Sequence, residues 1–318
     1  MGPPLAMFPF SSNEVREHFI SAEQLMRVCD QVWSADRKAD IRLERRQPQT
    51  ASSIYCKIDH LVGLFDTVRE FRNRLVLVSS ESDRPITSEF LGRCPPQIAH
   101  WFSTNIEVKD RRLDALPLGL SNSYCDITLR ASLIAEKSRE FTDRSHWLYV
   151  NFQASTNPAV REPVMDYFRS LRSADWVTLQ EGGLSLQDYL AEMSSHRFVL
   201  CPPGNGIDTH RLWEALYSRT IPVALDSPAM AAFRDLPILF VKDFTKLTRD
   251  FLVSEYERIR TCHWNWPKLF LPWWRERIAE QCEKLKRSGA GVVPRSKFLR
   301  EIARARLAEL KRRVLRRV

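Results

Sequence analysis

Residues 197–225 read RFVLCPPGNGIDTHRLWEALYSRTIPVAL, and the pattern of that stretch decides the fold. Phe198, Val199 and Leu200 form a short continuous apolar run, the mark of a strand buried on both faces. A Pro/Gly turn follows over Cys201 to Gly206. Asp208 or Thr209 then opens an amphipathic helix, and Ile221 to Leu225 is a second apolar run. Strand, turn, short helix and returning strand make a parallel β-α-β unit. At its turn, Gly204 and Gly206 let backbone approach a ligand, and the helix that follows begins with Thr209, His210 and Arg211. A helix start carries partial positive charge and unpaired amides, so the stretch is expected to hold an anion, with phosphate the natural candidate.

The same alternation extends in both directions. Ser53 to Ile58, the helical spacing of Asp59 to Arg72 and the apolar Leu75 to Ser79 form another β-α-β unit, ending in Ser80, Glu81, Ser82 and Asp83. Ile98 to Thr104 fits a short helix or strand, and Leu113 to Leu120 an apolar strand. Nearer the opening stretch, His146 to Phe152 reads as a strand, residues 158–172 as a helix with Pro158 at its start, Trp176 to Leu179 as a strand and Ser185 to Ser194 as a helix. Before all of these, a single helix is expected from Ser12 or Asn13 to Trp33. After them, Ile238 to Val241 reads as a strand and Phe244 to Arg260 as a helix. The sequence therefore predicts an α/β protein with two Rossmann-like domains facing a cleft and a C-terminal helical extension. The expected cuts fall at 1–135, 136–262 and 263–318.

Composition narrows the class. Of 318 residues, 44% are hydrophobic, with nine Trp and 17 Phe, enough for a sizeable core and too many for a mostly disordered chain. The formal charge of +9 admits an acidic partner, but much of it lies in residues 295–318, where Arg and Lys greatly outnumber Glu301 and Glu309. There Phe298, Ile302, Ala305, Leu307, Leu310, Val314 and Leu315 recur at helical spacing. A basic amphipathic helix of this kind either lies on an anionic membrane surface or packs on the body. Beyond charge there is no nucleic-acid-binding motif, and none is expected to be bound. Seven scattered Cys without a CxxC pair point to reduced thiols in a cytoplasmic compartment rather than a zinc site. The start of the chain lacks a signal-peptide pattern and no run reaches membrane-spanning length, so a soluble or peripheral protein is expected.

Neither GxxxxGK[ST] nor GxGxxG occurs, so P-loop and dinucleotide readings have no motif. The candidate donor-side residues are Gly204, Asn205, Gly206, Asp208, Thr209, His210 and Arg211, where Arg211 offers a planar fork to phosphate. Glu214 stands one turn on, placed to accept from ribose hydroxyls or to pair with Arg211 at i,i+3.

Taken together, CPPGNGIDTHRLWEALYSRTIPV (201–223) resembles the signature segment of exostosin-like glycosyltransferases and is similar to a segment of α1,3-fucosyltransferases. LYVNFQASTNPAVR (148–161) resembles the stretch that precedes it in that group. The resemblance implies the GT-B fold and transfer of a sugar from a nucleotide-diphosphate donor to a glycan or lipid-linked acceptor, with no metal or other cofactor and with inversion. It implies Arg211 on the diphosphate, Glu214 on the ribose and Arg161 as a second phosphate-side cation. His210 stands where the fucosyltransferases place Glu, and Arg219 replaces a small residue, so their donor does not carry over.

The other chemistry expected is a general base outside a strand end of the first half. Asp83 and Glu81 are the candidates, with Asp59 a rival. Glu81-Ser82-Asp83 also resembles the metal-gripping element of GT-A enzymes, and the same carboxylates serve equally as turn residues. His60, His100, Asn105, Asn151 and Thr156 have similar double readings, as pocket lining or as ordinary core and turn residues. Trp264, Trp266, Phe270, Trp273 and Trp274 either stack on sugar rings or pack in a core, packing being the more common fate. A rival reading of the whole is a non-catalytic glycosyltransferase-like protein that uses its basic helix for membrane or nucleic-acid association.

Overall fold

The computed structural model describes residues 8–33, 53–121, 125–138, 144–288 and 291–303. It contains two five-stranded sheets, and every strand pair in both is parallel. The expected α/β class with two Rossmann-like halves is what the chain adopts.

One compact unit holds the described residues up to Ser21 together with Pro117–Trp273, and the other holds Ala22–Leu116 with the described residues from Trp274 onward. The expected cuts near 135 and 262 do not mark the edges of these units, for reasons of long-range hydrogen bonding. Helix α1 (Ser12–His18) packs on α5 (Ile127–Lys137), and Ser12 Oγ donates to Ala135 O at 3.2 Å. Ile20 N donates to Tyr217 Oη at 2.9 Å, and Leu120 N to Ile20 O at 2.8 Å. At the other end of the chain, Val293 N donates to Arg72 O at 2.7 Å, Arg74 N to Gly291 O at 2.8 Å, and Arg69 pairs with Glu301.

The unit centred on the first half has strands β1 (Gln31–Trp33), β2 (Ser53–Lys57), β3 (Leu75–Ser80), β4 (Ile98–Ser103) and β5 (Leu113–Ala115), in that spatial order. Helix α2 (Ala22–Val28) leads into β1, so the single expected helix over 12–33 is two short helices and a strand. Between the strands run α3 (Leu61–Val68) and α4 (Ser88–Arg93). Leu61, Leu64, Phe65 and Val68 of α3 bury against Ile54, Leu75, Leu77 and Trp101, the helical spacing meeting the strand pleat. Strand order follows chain order throughout this sheet, so its described strands contain no reversal.

The second sheet does reverse. Its strands are β6 (His146–Val150), β7 (Val177–Leu179), β8 (His196–Leu200), β9 (Ile221–Leu225) and β10 (Leu239–Val241), and their spatial order is β7-β6-β8-β9-β10. The chain steps from β6 one way to β7, then crosses back to β8, which leaves a switch point between β6 and β8. Ligands of such sheets gather outside the carboxyl ends of the strands at that point. The connecting helices are α6 (Pro158–Ser170), α7 (Leu186–Ser195), α8 (His210–Tyr217) and α9 (Arg249–Thr261). Helix α10 (Leu271–Arg287) follows α9 in the chain.

Of the aromatic cluster, Trp266 packs on Phe8 and Phe10 with ring centroids 4.9 and 5.6 Å apart, Phe270 packs on Phe10 and Tyr217, and Trp264 Nε1 donates to Ile259 O. Packing is what the structure shows for these three. Residues 295–303 are helical, but the rest of the expected basic amphipathic helix, 304–318, lies outside the described residues. No described helix is long and apolar enough to cross a membrane.

His196 begins β8 fully buried, with Nδ1 2.6 Å from Glu192 O and Nε2 2.8 Å from Thr178 Oγ1. Burial lowers its pKa from 6.5 to about 4. A histidine whose folded pKa is depressed binds fewer protons than in the unfolded chain between those values, so stability falls as pH drops from 6.5 towards 4. The loss attributable to it is about 3 kcal/mol. Denaturant titrations across that range, compared between wild type and His196→Gln, are expected to show the variant with a correspondingly weaker dependence on pH.

Candidate anion site at the switch point

The loops after β6 and β8 meet outside the strand ends, and a set of side-chain staples fixes them. Arg161, 8% exposed on α6, donates from Nε to Pro203 O (2.9 Å), from Nη2 to Pro202 O (3.0 Å) and from Nη1 to Gln153 O (2.9 Å). Asn157 Nδ2 donates to Gly204 O at 2.7 Å. The guanidinium expected to face phosphate is thus engaged in tying one loop to the other. Burial, and then the nearby Arg211 charge, lower its pKa to about 10. Gly204 also has a structural cause, since a Cβ there would lie 3.2 Å from Arg161 Nη2. Asn205 is exposed and Gly206 buried on the same turn.

A second set of staples joins the α8 entry to residues 118–119. Asp208, 4% exposed, accepts from Leu118 N and from Trp213 Nε1, both at 2.8 Å. Burial raises its pKa to about 7, although the bonds from Leu118, Trp213 and the Thr209 backbone each pull it down. His210 Nδ1 lies 2.7 Å from Gly119 O, so that nitrogen carries the proton. Gly119 sits at φ +70°, where a Cβ would come within 2.1 Å of Ile20 O. Only glycine fits there. Thr209, the residue before α8, is extended and makes no side-chain capping bond, so the first-turn amides are not satisfied by the usual hydroxyl cap.

Glu214 is 4% exposed. One oxygen pairs with Arg130 of α5, and the other accepts from Tyr189 Oη of α7 at 2.9 Å. Both expectations for it, ribose contact and an i,i+3 pair with Arg211, meet a carboxylate with other hydrogen-bond partners. Arg211 instead stacks its guanidinium over the Tyr189 ring at 5.2 Å. Its Nη1 is buried and has no hydrogen-bond partner among the described residues. Burial works to lower the Arg211 pKa, but Tyr189, Cys201, Glu214 and Tyr149 together hold it above its ordinary value. A guanidinium is charged at any ordinary pH, and the Nη1 of this one has no hydrogen-bond partner among the described residues.

Arg130, Tyr149 and Tyr189 were outside the sequence expectation. Tyr149 sits inside the apolar run of β6 and Tyr189 on the apolar face of α7, so local periodicity gave no signal for either. Of the remaining expected residues, Asn151 Nδ2 donates to Gln180 O at 3.3 Å, and Thr156 lies in a single 3-10 turn.

The base candidates belong to the other unit. Glu81 follows β3 with φ 59° and sits 2.9 Å from Lys57 Nζ. Asp83 is exposed. Asp59 accepts from Ser82 Oγ at 3.0 Å, while Asn105, also left-handed at φ 52°, donates to Ser82 O at 3.1 Å. Non-glycine residues with positive φ at two neighbouring strand ends are strained positions of the kind found at functional sites. His100 Nε2 lies 3.0 Å from Asp114 Oδ2, and the His60 ring packs near Trp33.

No family model and no curated protein sequence matches the chain. Among solved structures it is similar to an α,α-trehalose-phosphate synthase (UDP-forming) from Burkholderia vietnamiensis, at 10% identity and TM-score 0.43, covering 73% of this chain and 74% of that one. It is also similar to the N-terminal domain of a trehalose-6-phosphate phosphatase from Candida albicans, at 11% identity and TM-score 0.40, covering 72% and 71%. A third is AviGT4, a glycosyltransferase involved in avilamycin A biosynthesis, at 14% identity and TM-score 0.32, covering 73% and 84%. Likenesses at this level leave function to be argued from the site itself.

Two outcomes test the site's construction. Arg130→Met strands Glu214 as a buried carboxylate, and denaturant unfolding should show a loss of 3–5 kcal/mol, roughly the cost of breaking a buried pair. For Asp208, the folded pKa of about 7 lies above the unfolded 3.8, so the folded state holds the extra proton and stability falls as pH rises from 4 to 7. The contribution is on the order of 4 kcal/mol. Asp208→Asn should therefore be more stable than wild type at pH 8 and should show no such gain at pH 4.

Proposed function

We propose that the protein is a glycosyltransferase of the GT-B type that moves a sugar from a nucleotide-diphosphate donor to a glycan or lipid-linked acceptor, with inversion. The observation that carries this reading is Arg211. A guanidinium at a switch point, with a buried Nη1 that has no partner among the described residues, on the first turn of a helix that has no side-chain cap, is complementary to a diphosphate. The resemblance of residues 148–161 and 201–223 to exostosin-like glycosyltransferases supports the same reading.

In the reaction proposed, the acceptor hydroxyl oxygen forms a bond to the anomeric carbon while the bond from that carbon to the diphosphate oxygen breaks. The electron pair leaves with the diphosphate, and the hydroxyl proton passes to a carboxylate base. Leaving-group charge grows in the transition state, so preorganised donors aimed at it accelerate the step. Arg211 and the first-turn amides of α8 fill that role, and in this reading no metal is required. Arg161, Asn157, Asp208 and His210 position the loops. For the base, Glu81 is favoured over Asp83, because its contact with Lys57 fixes it, whereas Asp83 is exposed.

Calorimetric titration of the wild type with UDP and GDP is expected to show binding of at least one. Arg211→Ala should weaken that binding about 10- to 100-fold, the range for a lost charge-assisted hydrogen bond. Absence of binding of either nucleotide to the wild type contradicts the proposal.

A further inference from the structure

Beside Arg211 lies a second buried group without a partner. Tyr149, the fourth residue of β6, is 0% exposed, and its hydroxyl meets no hydrogen-bond partner among the described residues. Burial raises its pKa, and the charge that most opposes the rise is that of Arg211. Both groups border the Tyr189 ring, the Tyr149 ring with its centroid 6.5 Å away and the Arg211 guanidinium 5.2 Å over it, and each leaves a buried polar atom without a hydrogen-bond partner among the described residues. Buried hydroxyls and guanidinium N–H groups are almost always hydrogen-bonded in folded proteins. Other buried polar atoms among the described residues also lack a partner, but these two flank one ring, that of Tyr189, and a single ligand atom between them would answer both.

The chemistry of that partner follows from what the pair offers. Arg211 can only donate, and Tyr149 can donate its one proton. The surrounding polar groups are committed elsewhere. Tyr189 Oη and Arg130 bond to Glu214, occupying both of its oxygens. The Cys201 thiol points to Val199 O at 3.6 Å. His196, whose ring stacks 5.1 Å from that of Tyr149, uses both nitrogens on Glu192 O, Ser195 Oγ and Thr178 Oγ1. What is missing is an acceptor carrying negative charge, which a phosphoryl oxygen supplies and a sugar hydroxyl does not. We propose that Tyr149 is a ligand-binding residue whose hydroxyl shares one phosphoryl oxygen with Arg211 Nη1, making an inner anion subsite beneath the α8 N-terminus. The proposal rests on the donor-binding reading given above and adds to it a neutral donor from the central sheet.

Tyr149→Phe tests it, with Arg211→Ala and Tyr189→Phe as companions, using UDP, GDP and inorganic pyrophosphate as probes and thermal unfolding of the unliganded proteins. Because the Tyr149 hydroxyl has no hydrogen-bond partner among the described residues, Tyr149→Phe should melt no lower than wild type. Tyr189→Phe should melt lower, since its hydroxyl serves Glu214. Tyr149→Phe should weaken nucleotide or pyrophosphate binding about tenfold, the effect of one lost hydrogen bond to a charged group. If Tyr149→Phe binds these anions as wild type does while Arg211→Ala does not, the subsite is overturned and the donor reading stands. A lower melting temperature for unliganded Tyr149→Phe overturns it too, because the hydroxyl then has a partner within the protein. If the wild type binds none of the three probes, the donor reading fails and the subsite fails with it.

Discussion

A carboxylate has two oxygens, and in this protein both oxygens of Glu214 are taken. Arg130 holds one and Tyr189 the other. Arg211, three residues earlier on the same helix, lies within the field of Glu214 but stacks over the Tyr189 ring rather than hydrogen-bonding to that carboxylate. That arrangement leaves one buried guanidinium nitrogen, Arg211 Nη1, without a hydrogen-bond partner among the described residues, a costly state that persists where the surrounding packing imposes it. Helix α5 packs on both α7 and α8, which holds the three partners in place, so the cost is met by the fold.

The rest of the site is built to keep that arrangement still. Arg161 and Asn157 bond the carbonyls of the turn after β8 from the loop after β6, which fixes the two strand ends relative to each other at the switch point. Asp208 and His210 do the same for residues 118–119 on the far side of the α8 entry. Preorganisation of this kind is what electrostatic stabilisation of a leaving group requires, because donors that must reorient lose their advantage in the transition state. The residues nearest the proposed anion site divide into those that hold loops and the few, Arg211 foremost, that are proposed to meet a ligand.

Much of the frame was legible in the sequence because it is written in local periodicity. Continuous apolar runs at 75–79, 146–150 and 221–225 gave strands where they are found, and the turn and helix around 201–217 followed from Pro, Gly and a polar N-terminus. Two failures were local. Gln31–Trp33 was joined to a helix because three residues carry no period of their own, and α1 and α2 were merged into one. The larger failures were of pairing. Glu214 and Arg130 are 84 residues apart, and Asp208 and Leu118 are 90 apart. Nothing in either stretch announces the other, so the bonds that Arg161 and Glu214 make within the protein are invisible in the sequence. The make-up of the compact units is not written locally either, since Ile20, Leu120 and Tyr217 meet only in the folded chain.

The most direct test of the central claim is a crystal structure of the wild type with the nucleoside diphosphate that binds it best. The account predicts a phosphoryl oxygen within hydrogen-bond distance of Arg211 Nη1, with the α8 first-turn amides facing the same diphosphate. A diphosphate bound elsewhere, with Arg211 Nη1 answered by a protein acceptor, would contradict it.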